Sequence, residues 1–330
     1  MENCLHKEQL MGMKAISGNR RILIFLLLCA GTGCWSCNKN TPNSINYKTS
    51  TVSWILANGS NTTYFETAVQ QAGLDTIFNG AGPFTVFVPT NDAFNQAGIS
   101  QAAIGAYSQD QAKNLVLYHT VAGAALTASS FIGARESKII MANGDSVFVS
   151  GDSNRLFVNG VQVISSDLRA ANGVLHALQN VLIPPAKNLL DLVNADTSLS
   201  LLSSALQLAT AAPDSLTNDL ASAGPFSFFA PDNDAFRKLG YNSPQDLSTA
   251  NTDSLRLLIL SHLVPQRLFT YDIPDSSTLQ TVNDSTLYFN LSGIAAQVQI
   301  RGHDSFANVV SVNQMAINGV LFKIDEVLAY

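Results

Sequence analysis

The sequence predicts an α+β protein built from two tandem copies of one module. Three observations carry that expectation. Gly82–Phe94 reads GPFTVFVPTNDAF and Gly224–Phe236 reads GPFSFFAPDNDAF, near-identical stretches 142 positions apart. Within each copy, apolar residues recur at helical spacing early and hairpin signals come late. The chain has 330 residues, 46% hydrophobic and 13% charged, which is enough for two ordinary globular cores.

The first 36 residues stand apart. Lys14, Arg20 and Arg21 precede an apolar run, ILIFLLLCA, from Ile22 to Ala30. Nine residues are too few to cross a bilayer, which takes about 20. A charged start, a short apolar middle and a small-residue exit form a secretory signal pattern, with Met13 as well as Met1 available as a start. All four cysteines, Cys4, Cys29, Cys34 and Cys37, fall in or beside this segment. The remainder therefore has no disulfide, thiol nucleophile or thiolate metal site. GTGCWSCNKN resembles a bacterial lipoprotein processing site of the Bacteroidetes type, with Cys37 as the expected lipidated residue and Cys34 as the alternative. The expected divisions are 1–36, a lipoprotein-type signal peptide; 37–49, a polar tether; 50–185, the first module; and 186–330, the second.

Charge narrows the function classes. The chain carries 18 Lys and Arg against 24 Asp and Glu, a formal net charge of −6. Removing residues 1–36 takes away four basic and two acidic groups, leaving 14 against 22, or −8. Such a surface lacks the basic field that nucleic acids require, so no nucleic-acid partner is expected.

Each module opens with a helical pattern, YFETAVQQAGL at Tyr64–Leu74 and LSLLSSALQLA at Leu199–Ala209. Gly-Pro then leads into a strand. Phe84, Val86 and Val88 fall on one face and Thr85 and Phe87 on the other; in the second copy the sets are Phe226, Phe228, Ala230 and Ser227, Phe229. Apolar bulk on both faces predicts a strand covered on both sides. Pro89 and Pro231 end the ladder. The Asn91-Asp92 and Asn233-Asp234 pairs that follow suit a turn and a helix start, and Phe94 and Phe236 anchor the new helix. A second helix runs to His119 in LVLYHTVAG and to His262 in LILSHLVPQ. Turns at Asn143-Gly144 and Asn283-Asp284 predict hairpins. ANGVLHALQNVLIPP (Ala171–Pro185) and INGVLFKIDEVLAY (Ile317–Tyr330) close the two copies. Pro184-Pro185 makes a stiff junction that restricts the relative angle of the two bodies.

GPFTVFVPTNDAF, the Leu117–His119 LYH and NGVLHALQNVLIPP resemble the motifs of the fasciclin domain, and the resemblance covers residues 50–330 as two units. It implies a compact module, an antiparallel β-sandwich or wedge flanked by helices. It also implies secreted or surface-anchored proteins that act in adhesion or partner binding and are not enzymes. The second unit departs from the pattern at Ser261, which replaces the tyrosine, at Phe322, which replaces His176, and after Tyr330, where no proline follows.

A catalytic centre would have to use the histidines, and His119, His176, His262 and His303 are the four beyond the leader. His119 and His262 recur, as do Asp92 and Asp234, and a carboxylate–imidazole pair can serve acid–base chemistry. No nucleophile motif or third orienting group accompanies them. The alternative is that each histidine closes a helix end, satisfying carbonyls and suiting the dipole. Asp232–Asp234 lacks the glycine and distant glutamate of a calcium loop and reads as a helix cap. Accordingly no catalytic, cofactor or metal residue is expected, and Asn91, Asp92, His119, Asn233, Asp234 and His262 are expected to be structural. The expected function is a non-enzymatic lipoprotein of the bacterial outer membrane or cell surface, binding a surface protein or polysaccharide through two modules. The alternative is an envelope accessory capturing a small ligand or oligosaccharide between the units, with Tyr107, Tyr241 or Tyr271 lining the pocket.

Overall fold

The computed structural model describes residues 49–209, 216–291, 298–302 and 305–328. The leader, Cys34, Cys37, the tether up to residue 48, His303 and Tyr330 lie outside the described residues.

The first module runs α1 (Val52–Asn58), α2 (Thr63–Ala72), α3 (Asp75–Phe78), β1 (Phe84–Pro89), α4 (Asn91–Gln96), α5 (Gln101–Gly105), α6 (Gln109–Tyr118), β2 (Thr120–Ala122), β3 (Ser137–Ile140), β4 (Ser146–Gly151), β5 (Leu156–Val158), β6 (Val161–Ala170) and β7 (Gly173–Leu178). Its seven strands are ordered β2-β1-β7-β6-β5-β4-β3. The second repeats the plan: α7 (Leu189–Ala195), α8 (Ser200–Ala209), α9 (Leu216–Ser222), β8 (Phe226–Pro231), α10 (Asn233–Lys238), α11 (Pro244–Leu247), α12 (Thr252–Leu260), β9 (Leu263–Val264), β10 (Thr278–Gln280), β11 (Thr286–Leu291), β12 (Val298–Gly302), β13 (Ser305–Ala316) and β14 (Gly319–Ile324). Its sheet order is β9-β8-β14-β13-β12-β11-β10, the same topology strand for strand.

One pairing differs from the antiparallel expectation. The motif strand β1 lies parallel to β7, with Phe87 opposite His176, and β8 lies parallel to β14, with Phe229 opposite Phe322. A parallel pair needs a long crossover, and here the intervening helices and hairpins of the module supply it.

β1 and β8 each lie one strand in from the sheet edge, and both of their faces are covered. Val86 and Val88 pack with Phe65, Phe78, Phe94 and Val116 of the helical layer, whereas Phe87 joins Val147, Val149, Val158 and Leu178. In the second module Phe228 and Ala230 meet Leu202, Phe236 and Ile259, and Phe229 meets Leu287, Phe289 and Phe322. The second core of each module is enclosed because the long strands β6 and β13 bend. Both carry register shifts, between Val163 and Leu168 and between Val309 and Gln314. At each bend one residue takes a left-handed backbone, Asp167 at φ 61° and Asn313 at φ 57°. Their side chains then accept the N–H of Ala128 (2.8 Å) and of Thr270 (2.9 Å), tying the bend to the crossing loop.

Candidate functional site

The repeated motif builds a lattice of hydrogen bonds, and the same bonds are made twice. Helix starts come first. The expected Asn-Asp caps lie one residue off: the capping oxygens belong to Thr90, which accepts from Ala93 N, and to Asp232, which accepts from Ala235 N. Asn91 and Asn233 reach instead to the neighbouring helix start. Asn91 Oδ1 accepts Tyr64 N at 3.0 Å and Asn233 Oδ1 accepts Leu201 N at 2.9 Å, so each serves a helix distant in sequence. The shift has a physical reason, since the strand's last residue is the proline and the next residue already has the extended backbone of a cap.

The histidines are equally committed. His119 and His262 are fully buried. His119 Nδ1 donates to Leu115 O (2.8 Å) and Nε2 accepts Leu182 N (3.0 Å). His262 Nδ1 donates to Leu258 O (2.7 Å) and Nε2 accepts Leu328 N (2.9 Å). That pattern fixes one neutral tautomer. Burial pulls both rings down from 6.5 to about 4, against the smaller opposing effect of the carbonyl bond. The histidine at the helix end therefore satisfies a carbonyl as expected, but carries no charge at neutral pH to suit the dipole. Asp92 and Asp234 are exposed on the first turns of α4 and α10, and Asp234 pairs with Arg237. Neither carboxylate is placed to act on a buried ring whose two nitrogens are already engaged.

His176 is also fully buried, stacked on Phe87 with ring centroids 5.4 Å apart, and Phe322 stacks on Phe229 at 4.9 Å in the second module. Its Nε2 donates to Leu126 O (2.8 Å), while Nδ1 accepts Asp167 N (3.3 Å).

Two further nodes escaped the sequence reading. Thr85 Oγ1 donates to Ala124 O and accepts Leu126 N, both 2.8 Å, and Ser227 repeats this with Gln266 O and Leu268 N, both 2.9 Å. The Asn of each NGV turn is a three-way tie. Asn172 accepts Val52 N (2.8 Å) and donates to Phe78 O (2.8 Å) and Gly80 O (2.7 Å). Asn318 accepts Leu189 N (2.9 Å) and donates to Leu220 O (2.8 Å) and Ala223 O (2.9 Å). The signal was a polar residue repeated in both copies beside an apolar strand. The glycines after these asparagines are required by contact: a Cβ on Gly173 or Gly319 would run into the Phe84 or Phe226 carbonyl oxygen.

With the polar motif residues other than the exposed Asp92 and Asp234 consumed internally, features on the exterior remain. A groove of about 360 Å³ in the first module is lined by Ala81, Pro83, Ala125, Thr127, Arg169 and Ala171 among others. Equivalence through Leu126 and Leu268 puts Arg267 and Phe269 where the first module has the groove-lining Ala125 and Thr127. Ile164 and Val310, each following the same ladder position on β6 and β13, are 53% and 55% exposed. Tyr107 and Tyr241 pack against the helical cores of their own modules, and Tyr271 stacks on Phe157 (4.2 Å), so none of the three lines the groove. Among the described residues no group of three or more His, Cys, Asp and Glu is arranged to hold a metal, and no helix is long and apolar enough to cross a membrane.

The duplicated topology has a counterpart in sequence: the Fasciclin domain profile matches residues 60–184 and again 200–330. The chain belongs to the fasciclin domain family. Protein sll1483 of Synechocystis sp. is 33% identical over 120 residues, 36% of this chain and 64% of that protein. Transforming growth factor-beta-induced protein ig-h3 of Sus scrofa is 32% identical over 136 residues, 41% of this chain but 20% of that one. The match thus spans less than two thirds of the length of these relatives. Among solved structures, a FAS1 domain pair from the insect cell adhesion molecule fasciclin I aligns over 81% of this chain and 96% of that chain, with 18% identity and a TM-score of 0.40.

Proposed function

We propose that this fasciclin pair is an exported, non-enzymatic adhesion-type protein that binds a surface protein or polysaccharide through the exteriors of its two modules. The observation that supports this reading best is the fate of the repeated polar residues. His119, His262, Asn91, Asn233, Thr85 and Ser227 all spend their hydrogen bonds on backbone groups of their own module or on a neighbouring hydroxyl, leaving no poised acid–base set. Two linked weak sites gain through effective concentration, which suits a repeated module carrying the same exposed Ile164 and Val310 positions. Attachment through a lipid on Cys37, or Cys34, would place the pair on the outer face of a bacterial envelope.

An array of extracellular proteins and polysaccharides probed with the full chain tests this reading. Specific, saturable retention is expected, and it persists in Asp92→Ala and Asp234→Ala. Absence of any retention, together with substrate turnover in a hydrolase screen, would overturn it. The second reading, capture of a small ligand, is favoured by the groove beside Arg169. Native mass spectrometry of the purified chain separates the two, since capture predicts a retained small molecule that Arg169→Ala releases.

A further inference from the structure

The two modules differ most tellingly where they touch. Repeat equivalence places Arg267, Tyr271 and Asp272 of the second module at the positions of Ala125, Ser129 and Ser130 in the first; the Arg267 and Tyr271 side chains and the Asp272 backbone carbonyl meet module one. The Arg267 guanidinium lies 4.1 Å over the Phe148 ring. Tyr271 stacks on Phe157, donates its hydroxyl to Asp152 at 2.8 Å and lies under the Arg155 guanidinium at 4.9 Å. Arg135 donates to the Asp272 carbonyl at 3.4 Å. Gly160, at φ 74°, passes so close to Asn313 that a Cβ would come within 2.5 Å of the amide nitrogen.

A small charge cluster sits in this interface. Half-buried Glu136 of module one sits at this contact: its N–H donates to Ser150 Oγ at 2.9 Å on the strand that carries Phe148 under Arg267, and its neighbour Arg135 reaches the Asp272 carbonyl. Asp272 and Arg267 are both buried; Asp272 Oδ2 accepts Phe269 N, but its Oδ1 and the Arg267 Nε have no partner. Tyr118, which also faces Arg267, is pushed up to about 12 by burial and stays neutral. With Glu136 ionised, two carboxylates share the one buried guanidinium, Arg267, in a partly desolvated space whose exposed rim carries Arg135; with Glu136 protonated, the buried Asp272 and Arg267 balance.

We propose that this cluster is an inter-module latch, which holds the second module against the first and slackens when Glu136 takes up negative charge. Burial, then the Asp272 carboxylate, push the Glu136 carboxyl up to about 7, with Arg267 opposing. The sign follows from linkage. The closed form binds the extra proton, so its advantage is complete below the ordinary carboxylate range and is lost as pH rises through about 7. The interface is the two-arrangement element that this protonation biases.

Hydrogen exchange of the full chain tests the latch, read on peptides covering residues 152–160 and 267–275. Comparing Glu136→Gln with wild type at the same pH removes the intrinsic pH dependence of exchange. At about pH 6 the two are expected to match. At about pH 8.5 wild type is expected to exchange these segments about three- to tenfold faster, the range reflecting the half-exposed carboxyl. Arg267→Ala, which installs the first module's residue, exchanges fast at both pH values while keeping its far-UV dichroism. Equal exchange of wild type and Glu136→Gln at the higher pH, or unchanged protection in Arg267→Ala, would overturn the proposal.

Discussion

Replacing Asn172 by alanine is expected to destabilise the first module severely for one side chain. The Asn172 amide accepts Val52 N and donates to Phe78 O and Gly80 O, joining the start of α1, the end of α3 and the head of the motif strand. The residue is 7% exposed, so water cannot readily replace these partners. A net hydrogen bond contributes about 1 kcal/mol, and a stranded buried group costs about 1–3 kcal/mol. Three backbone groups lose their partner together, which sets the loss at about 3–5 kcal/mol, a large share of the 5–15 kcal/mol that typically holds a domain. Asn172→Asp keeps the acceptor but turns oxygen toward two carbonyls, so it is predicted to do no better. Urea unfolding of the full chain, followed by far-UV dichroism, measures the shift, and Asn318→Ala applies the same test to module two. A loss below about 1 kcal/mol in both variants would refute the reasoning from buried partners.

Other substitutions probe separate nodes. Thr85→Val keeps the volume but strands Ala124 O and Leu126 N, and should cost about 2 kcal/mol by thermal unfolding. Asp92→Ala removes an exposed carboxylate and should shift stability by less than about 0.5 kcal/mol. His119 carries a pH signature. Its folded value, about 4, is below the unfolded 6.5, so the unfolded chain binds the extra proton and stability falls as pH drops from about 6.5 toward 4. That span corresponds to about 3 kcal/mol, and the difference between wild type and His119→Phe in acid urea titrations should show it vanish in the variant. Gly160→Val should loosen the contact with Asn313 and raise exchange of residues 267–275 without unfolding either module.

Much of this architecture was legible because the chain states it twice. The alternation in FTVFV and FSFFA gave the two-sided strand, and the Asn143 and Asn283 turns gave the hairpins, now seen between β3 and β4 and between β10 and β11. The parallel pairing of β1 with β7 was not legible, since strand alternation carries no direction and the crossover is dozens of residues long. The cap assignment slipped by one because Asn, Asp and Thr are all good caps and only backbone geometry chooses among them. His176 was readable from its replacement by Phe322, a pair that shares packing and little else. The Arg267 contact was hidden for the opposite reason. Repeat comparison highlights what two copies share, and the groups joining the modules are those in which they differ.

The claim that the repeated polar residues are scaffold comes down to two imidazole rings. Nitrogen NMR of the full chain, with His119 and His262 assigned by substitution, reports tautomer and protonation directly. Both rings are predicted to be neutral with the proton on Nδ1 from about pH 8 down to about pH 5, and to protonate only near 4 as their modules loosen. Rings that titrate near 6.5 in the folded protein, or that exchange tautomers freely, would contradict it.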